Sequence, residues 1–384
     1  MRTDQQRAFP ALQALRIAPR RPSAQPLAPA RRSIGLRAAI GVLSFAVVMA
    51  GSIALAALRS DRTGSAPSSR ERTDAGAFTL FSDPNGRVVH PRDVVAGLDG
   101  NLWFTAANDR VGRITPDGEI TVFSDPAGAL REPDQIVAGP DGALWFTALD
   151  GRVGRVTTTG QVTTFVVGEN GVSPVSVAAG PDGNLWYTTG DQIGRVTPTG
   201  EHVSFDGGAA GAVLPLHITA GPDGNLWFTN LDGRIGRITV DGQLTTFDAA
   251  DADIAFPGEI VTGADGNLWF TSPGSGRIGR ITPAGHVDSF DAAPAGAEAP
   301  SAITAGPDGN LWFTNSNDRI GRISLEGQIA TYVGHDEVRT PFGITAGPDG
   351  NVWFTSLNND QVGFIRPGSA DAATDQGAPA SEVR

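Results

Sequence analysis

Short apolar runs alternate with Gly/Pro/Asp turns along most of the chain, and they do so on a fixed period. Residues 218–229 read ITAGPDGNLWFT, and this stretch occurs seven times with small changes. Its tryptophan falls at Trp103, Trp145, Trp186, Trp227, Trp269, Trp312 and Trp353, in steps of 42, 41, 41, 42, 43 and 41 residues. All seven tryptophans of the chain lie in this motif. One repeat predicts four strands. Residues 218–220 form a short apolar strand, and Gly221-Pro222-Asp223-Gly224 turns the chain. Residues 226–229 form a second strand, rich in aromatic and β-branched side chains. Residues 234–239 and 243–247 follow as the third and fourth, each after a turn that contains Asp-Gly. Glycine recurs inside the third strand, as at Gly236, where it lets something bulky approach; the neighbouring Trp ring is the expected occupant. A period of ~40–45 residues built from four short strands is the pattern of a β-propeller blade.

The seventh repeat lacks a fourth strand, because Pro367-Gly368 and a polar tail follow its third. Ahead of the first repeat, Phe78-Thr79-Leu80-Phe81 matches the missing strand (compare Leu244 to Phe247). The expected fold is therefore an all-β, seven-bladed β-propeller over residues 77–368. Its N-terminal strand completes the last blade and removes two exposed edges.

Charge divides the chain. Residues 1–76 carry 12 of the 29 arginines and 4 of the 41 acids, and the remainder carries 17 against 37. An acidic propeller repels nucleic acid, which sets aside a DNA or RNA role. From Ala38 to Leu58 the chain runs 21 residues without a charge, preceded by eight Arg and one Asp. That length spans a bilayer as a helix. The arginine excess places the N-terminus in the cytoplasm and the propeller outside. The division is then an Arg-rich leader (1–37), a signal-anchor (38–58), a flexible linker (59–76), the propeller, and a polar tail (369–384). A cleaved signal peptide is the alternative, with Ala54-Leu55-Ala56 as its cleavage site and secretion as its outcome. Cysteine is absent, so neither disulfides nor thiol chemistry operate.

Within the repeats the first turn is nearly constant, whereas the blade-to-blade loops vary. Variable loops mark the binding face. The residues just before each inner strand ring the channel mouth on that face: Asp93, Gln135, Ser176, His217, Glu259, Ala302 and Gly343. Asp93, Gln135, His217 and Glu259 are the candidate ligand-binding set, for a small molecule or a cation. The same ring also reads as a water-filled channel entrance. The other histidines (His90, His202, His286, His335) fall in loops or at strand starts and read as surface residues. The aspartates of the constant turns, such as Asp223, read as turn residues, and the third-strand arginines, such as Arg237, as their ion-pair partners. No Ser/His/Asp nucleophile set and no phosphate-binding loop is present.

The run Gly-Pro-Asp-Gly-Asn-Leu-Trp-Phe-Thr, followed by Arg-Ile-Gly-Arg-Ile-Thr, resembles the virginiamycin B lyase (streptogramin lyase) family over about residues 78–367. The resemblance implies a seven-bladed propeller and Mg²⁺-assisted ring opening of streptogramin B antibiotics by elimination. It also implies catalytic groups at four places. The family's Glu-Pro-His at the start of the last blade is here Thr340-Pro341-Phe342. Its Mg²⁺-holding Glu is here Leu357, a His of the preceding blade is Ser301, and a Tyr of the first blade is Arg92. Glu132-Pro133-Asp134 comes nearest to the missing motif, but its partner position is Leu149. General-base chemistry needs a titratable group where the proton is lost. The expected role is therefore a non-catalytic, monomeric binding or sensor module, taking a small molecule or a protein on the variable-loop face. A Mg²⁺-dependent carbon–oxygen lyase with a site rearranged around His217 and Glu259 is the alternative. A lactonase-like hydrolase fits less well, since seven repeats and the residue set argue against it.

Overall fold

The computed structural model describes residues 78–368, apart from 126, 127, 129, 169–171, 191, 208–213, 335 and 336. The leader, the apolar segment from Ala38 to Leu58, the linker and the polar tail lie outside the described residues. Among those described, no helix is long and apolar enough to cross a membrane.

The described chain forms seven four-stranded antiparallel sheets. In the fourth blade the strands are Pro215–Ala220, Leu226–Asn230, Ile235–Ile238 and Leu244–Phe247. The inner strand starts earlier than its apolar triplet because Pro215 pairs with Asn230 across a bulge. Six blades take their strands in sequence order, and the seventh borrows its outer strand from the N-terminus. Phe78–Ser82 pairs antiparallel with Gln361–Ile365, Phe78 opposite Ile365 and Ser82 opposite Gln361. The sequence expectation of closure is met.

Neighbouring residues of a strand point to opposite faces of its sheet. Trp227 and Phe228 therefore serve different blade interfaces. Trp227 packs with Ile260, Leu268 and Phe270 of the fifth blade. Phe228 packs with Trp186 and Ile193 of the third. All seven tryptophans are fully buried. Each ring is worth roughly 4–6 kcal/mol of apolar burial, as an upper figure.

Two further contacts fix each tryptophan, and in four blades a third-strand arginine adds one more. It stacks on the aromatic ring of its blade's outer strand, as Trp227 does on Phe247 with centroids 5.3 Å apart. Its indole N–H donates to the turn aspartate, at 3.0 Å from Trp227 to Asp223. The third-strand arginine lies over the ring, with the Arg237 guanidinium 5.4 Å from the Trp227 centroid. In the last blade the stacking partner is Phe81, 5.8 Å from Trp353. The turn aspartates thus hold the core tryptophan as well as shaping the turn. Several third-strand arginines pair with them, as Arg322 Nε does with Asp308 at 2.7 Å.

The third-strand glycine has a different neighbour from the one expected. Gly236 stands opposite Phe228 in the register, and a Cβ there would fall 2.1 Å from Phe228 Cζ. The tryptophan instead covers Gly221 of the constant turn, where a Cβ would lie 2.3 Å from its Cδ1. Phenylalanine shares a face with the glycine it pairs with, whereas tryptophan, one residue earlier, faces away from it.

A ring of threonines ties the blades together at the mouth. The Thr314 hydroxyl accepts the Ala302 N–H at 3.0 Å and donates to Phe342 O of the next blade at 2.9 Å. Thr229 and Thr271 donate likewise to Gly258 O and Ser301 O, at 2.8 Å and 2.7 Å. Thr355 of the seventh blade donates to Arg92 O of the first at 2.6 Å, which closes the circuit.

Removal of residues 78–82 is expected to destabilise the whole ring by about 5 kcal/mol or more, because Phe78 and Phe81 leave the seventh interface. Urea unfolding checks this; an unchanged midpoint would contradict closure by this strand.

Candidate functional site

The inner strands begin at the channel mouth, and the side chain just ahead of each apolar run turns toward the next blade. Asp93 Oδ2 accepts the Ile136 N–H at 2.9 Å. Gln135 Oε1 accepts the Val177 N–H at 2.8 Å. Ser176 Oγ accepts the Ile218 N–H at 3.1 Å. Glu259 Oε2 accepts the Ile303 N–H at 3.0 Å. The polar ring read from the sequence is thus first a set of bonds between blades. His217 is the exception among the polar members, since its buried Nδ1 has no partner. Ala302 and Gly343 carry no acceptor. At Gly343 the small residue matters, because a Cβ would lie 2.6 Å from both Cα and Oδ1 of Asp93.

Asp93, Gln135, His217 and Glu259 nevertheless line one cavity of about 110 Å³. Its lining also includes Leu216, Phe256 and Phe342, so acids and apolar side chains share the pocket. Phe256 is 54% exposed and stands at the lip ahead of Pro257. Asp134 also lines the cavity, is itself only 4% exposed, and receives Arg92 Nη1 at 3.3 Å. Sequence reasoning had not placed Asp134 in the candidate set. Its signal was an acid where the other inner strands carry Val175, Leu216, Gly258 or Phe342, beside an arginine one repeat earlier.

Burial dominates the electrostatics. It pushes Asp93 up to about 7, reinforced by the charge of Asp134 and opposed by the N–H groups of Ile136 and Val94. It holds Glu259 well above the ordinary carboxylate range, and the charge of Asp93 raises it further. It raises Asp134 against the pull of Arg92. It pushes His217 down to about 4, leaving a neutral imidazole at pH 7. Low water content favours the uncharged form of every acid and base in such a pocket.

No group of three or more His, Asp or Glu among the described residues is placed to hold a metal ion. Leu357, where the resemblance implies a Mg²⁺ ligand, is buried at 5% exposure. The residues do not fit the ion at that place.

The fold and mouth define a seven-bladed β-propeller with an axial cavity at the variable-loop face. The sequence model of the virginiamycin B lyase family matches residues 69–210 and 188–372, and the chain belongs to that family. A streptogramin B lyase structure is 31% identical, with a TM-score of 0.69, covering 76% of this chain and 98% of that one. A catalytically inactive histidine-to-alanine virginiamycin B lyase from Staphylococcus aureus, solved with quinupristin, is 30% identical at a TM-score of 0.69, covering 76% and 99%. A search of proteins of curated function returned no match.

The buried acids make stability depend on pH. Asp93 keeps its proton in the fold up to about 7, but loses it near 4 when unfolded. Its contribution is complete below ~4 and is lost as pH rises through 7. His217 acts oppositely, being neutral in the fold down to about 4, so its contribution is lost as pH falls through that value. Glu259 and Asp134 reinforce Asp93. Between about pH 4 and 7, Asp93→Asn is expected to make the unfolding free energy fall less steeply with rising pH, by up to ~1.4 kcal/mol per pH unit. Urea titrations across this range with identical slopes for both proteins would rule the assignment out.

Proposed function

We propose that this propeller is a non-catalytic, extracytoplasmic member of its family, which binds a small ligand in the mouth cavity. The observation that carries the reading is Phe342. At the start of the last blade, where the resemblance implies a catalytic histidine, a phenyl ring lines the cavity, and it can neither take nor give a proton. Ser301 lines the same cavity, Leu357 is buried, and the Arg92 guanidinium is engaged with Asp134. The fold is therefore kept while the catalytic set is replaced, as happens when a scaffold is reused. The carboxylates that remain are bound to backbone N–H groups of neighbouring blades, which suits a preformed binding wall better than a moving acid or base.

The purified chain, incubated with quinupristin and Mg²⁺, is expected to give no ring-opened product above background. General-base help alone is worth ~10²–10⁴-fold in rate. Mg²⁺-dependent turnover would contradict the reading. It would point instead to a rearranged lyase site, and loss of that turnover in His217→Ala and Glu259→Gln would place it at this cavity.

The extracytoplasmic location is part of the proposal. It rests on eight arginines ahead of the uncharged run from Ala38 to Leu58. Protease added to intact cells or spheroplasts is expected to digest the propeller; protection until the membrane is broken would reverse the topology.

A further inference from the structure

We propose that the mouth cavity selects a small organic cation, a protonated amine or amidine on an apolar body of about the size of a benzene ring. The proposal deepens the binding reading above and rests on it.

The polar wall contains two carboxylates without a countercharge. Arg92 is committed to Asp134 at 3.3 Å, and among the described residues no cation is paired with Asp93 or Glu259. Each Asp93 oxygen accepts one backbone N–H, from Val94 and from Ile136. Glu259 accepts one, through Oε2. Lone pairs on both groups therefore remain for a ligand donor. The two acids also repel each other across the cavity, as the effect of Asp93 on Glu259 records. A monocation placed there satisfies the free lone pairs and removes that repulsion. An anion would be repelled by the ionised acids, and among the described residues no group of three or more His, Asp or Glu is placed to hold a metal ion.

Beside the acids stands His217, whose Nδ1 is buried and unpartnered. Gln135 is a further polar group, and Leu216, Leu231, Phe256 and Phe342 share the lining. Aromatic faces there suit both an apolar body and a cation. The volume of about 110 Å³ is of the order of an apolar cavity known to take up benzene, ~150 Å³. A volume of that order admits a single ring.

Calorimetric titration of the full chain at about pH 8 tests this, with benzylammonium as probe, benzyl alcohol as its neutral isostere, and Mg²⁺ alone. Benzylammonium is expected to bind saturably, at least about tenfold more tightly than benzyl alcohol, because its charge meets two acids. Binding should weaken by about tenfold or more near pH 6, below the value of about 7 for Asp93, where that acid holds a proton the cation must displace; Glu259, also raised by burial, acts in the same direction. His217 stays neutral over that interval. Glu259→Gln and Asp93→Asn should each cost about tenfold. If either variant fails to fold, the comparison of charged and neutral probes on the unaltered chain decides alone. Equal binding of benzyl alcohol would overturn the proposal. So would Mg²⁺ binding that benzylammonium does not displace, or no saturable binding of benzylammonium, cyclohexylammonium or benzamidinium. None of these outcomes touches the non-catalytic reading, which stands or falls on the quinupristin assay.

Discussion

No blade of this protein has a core of its own. A four-stranded sheet has two apolar faces, and each is satisfied only by a neighbouring blade. Trp227 faces forward and Phe228 backward, so every interface is built from one blade's tryptophan and the next blade's phenylalanine, or tyrosine at Tyr187 of the third blade. That constraint explains the repeat. The turn aspartate is needed to receive the indole N–H, in all seven blades at 3.0–3.2 Å. A buried donor without a partner would cost ~1–3 kcal/mol at each position. Glycine is needed under each ring because the rings lie flat against the backbone. The motif is constant because the same interface is made seven times.

Much of this was legible in the sequence because its cause is periodic. The tryptophan spacing gave the number of blades, and the missing seventh outer strand pointed to Phe78–Ser82 as its replacement. The four mouth residues were placed together by counting from each inner strand. What stayed hidden depends on contacts between residues one repeat apart. Nothing local tells that Asp93 reaches the Ile136 N–H, or that Arg92 closes on Asp134. The glycine–tryptophan assignment failed for a related reason. Adjacency in the motif suggested a contact that the alternation of strand faces forbids, and phenylalanine occupies the place instead.

The mouth carries two demands on the same atoms. Asp93 and Glu259 hold neighbouring blades through backbone N–H groups, and they also wall the cavity. Their environment is therefore set by the architecture before any ligand arrives, and a substitution there alters the joint between blades together with the chemistry of the pocket. Polar groups fixed in this way need little rearrangement when a partner enters, which lowers the entropic cost of binding. At Ala302 and Gly343 the ring has no such acceptor. There the threonine hydroxyls, Thr314 and Thr355, carry the connection.

The borrowed outer strand also orders events in time. Ser82 and Gln361 touch although they stand 279 positions apart in the chain, and Thr355 reaches Arg92 at a separation of 263. During synthesis the first strand to emerge has no partner until almost the entire ring has followed it. Blades can assemble pairwise as they appear, each sealing the interface before it, yet the first blade keeps one bare face throughout. Contacts of such separation are the slowest kind to form. The seam between the first and last blades is thus the final joint made, and until then the molecule is an open arc whose two unfinished ends fit each other.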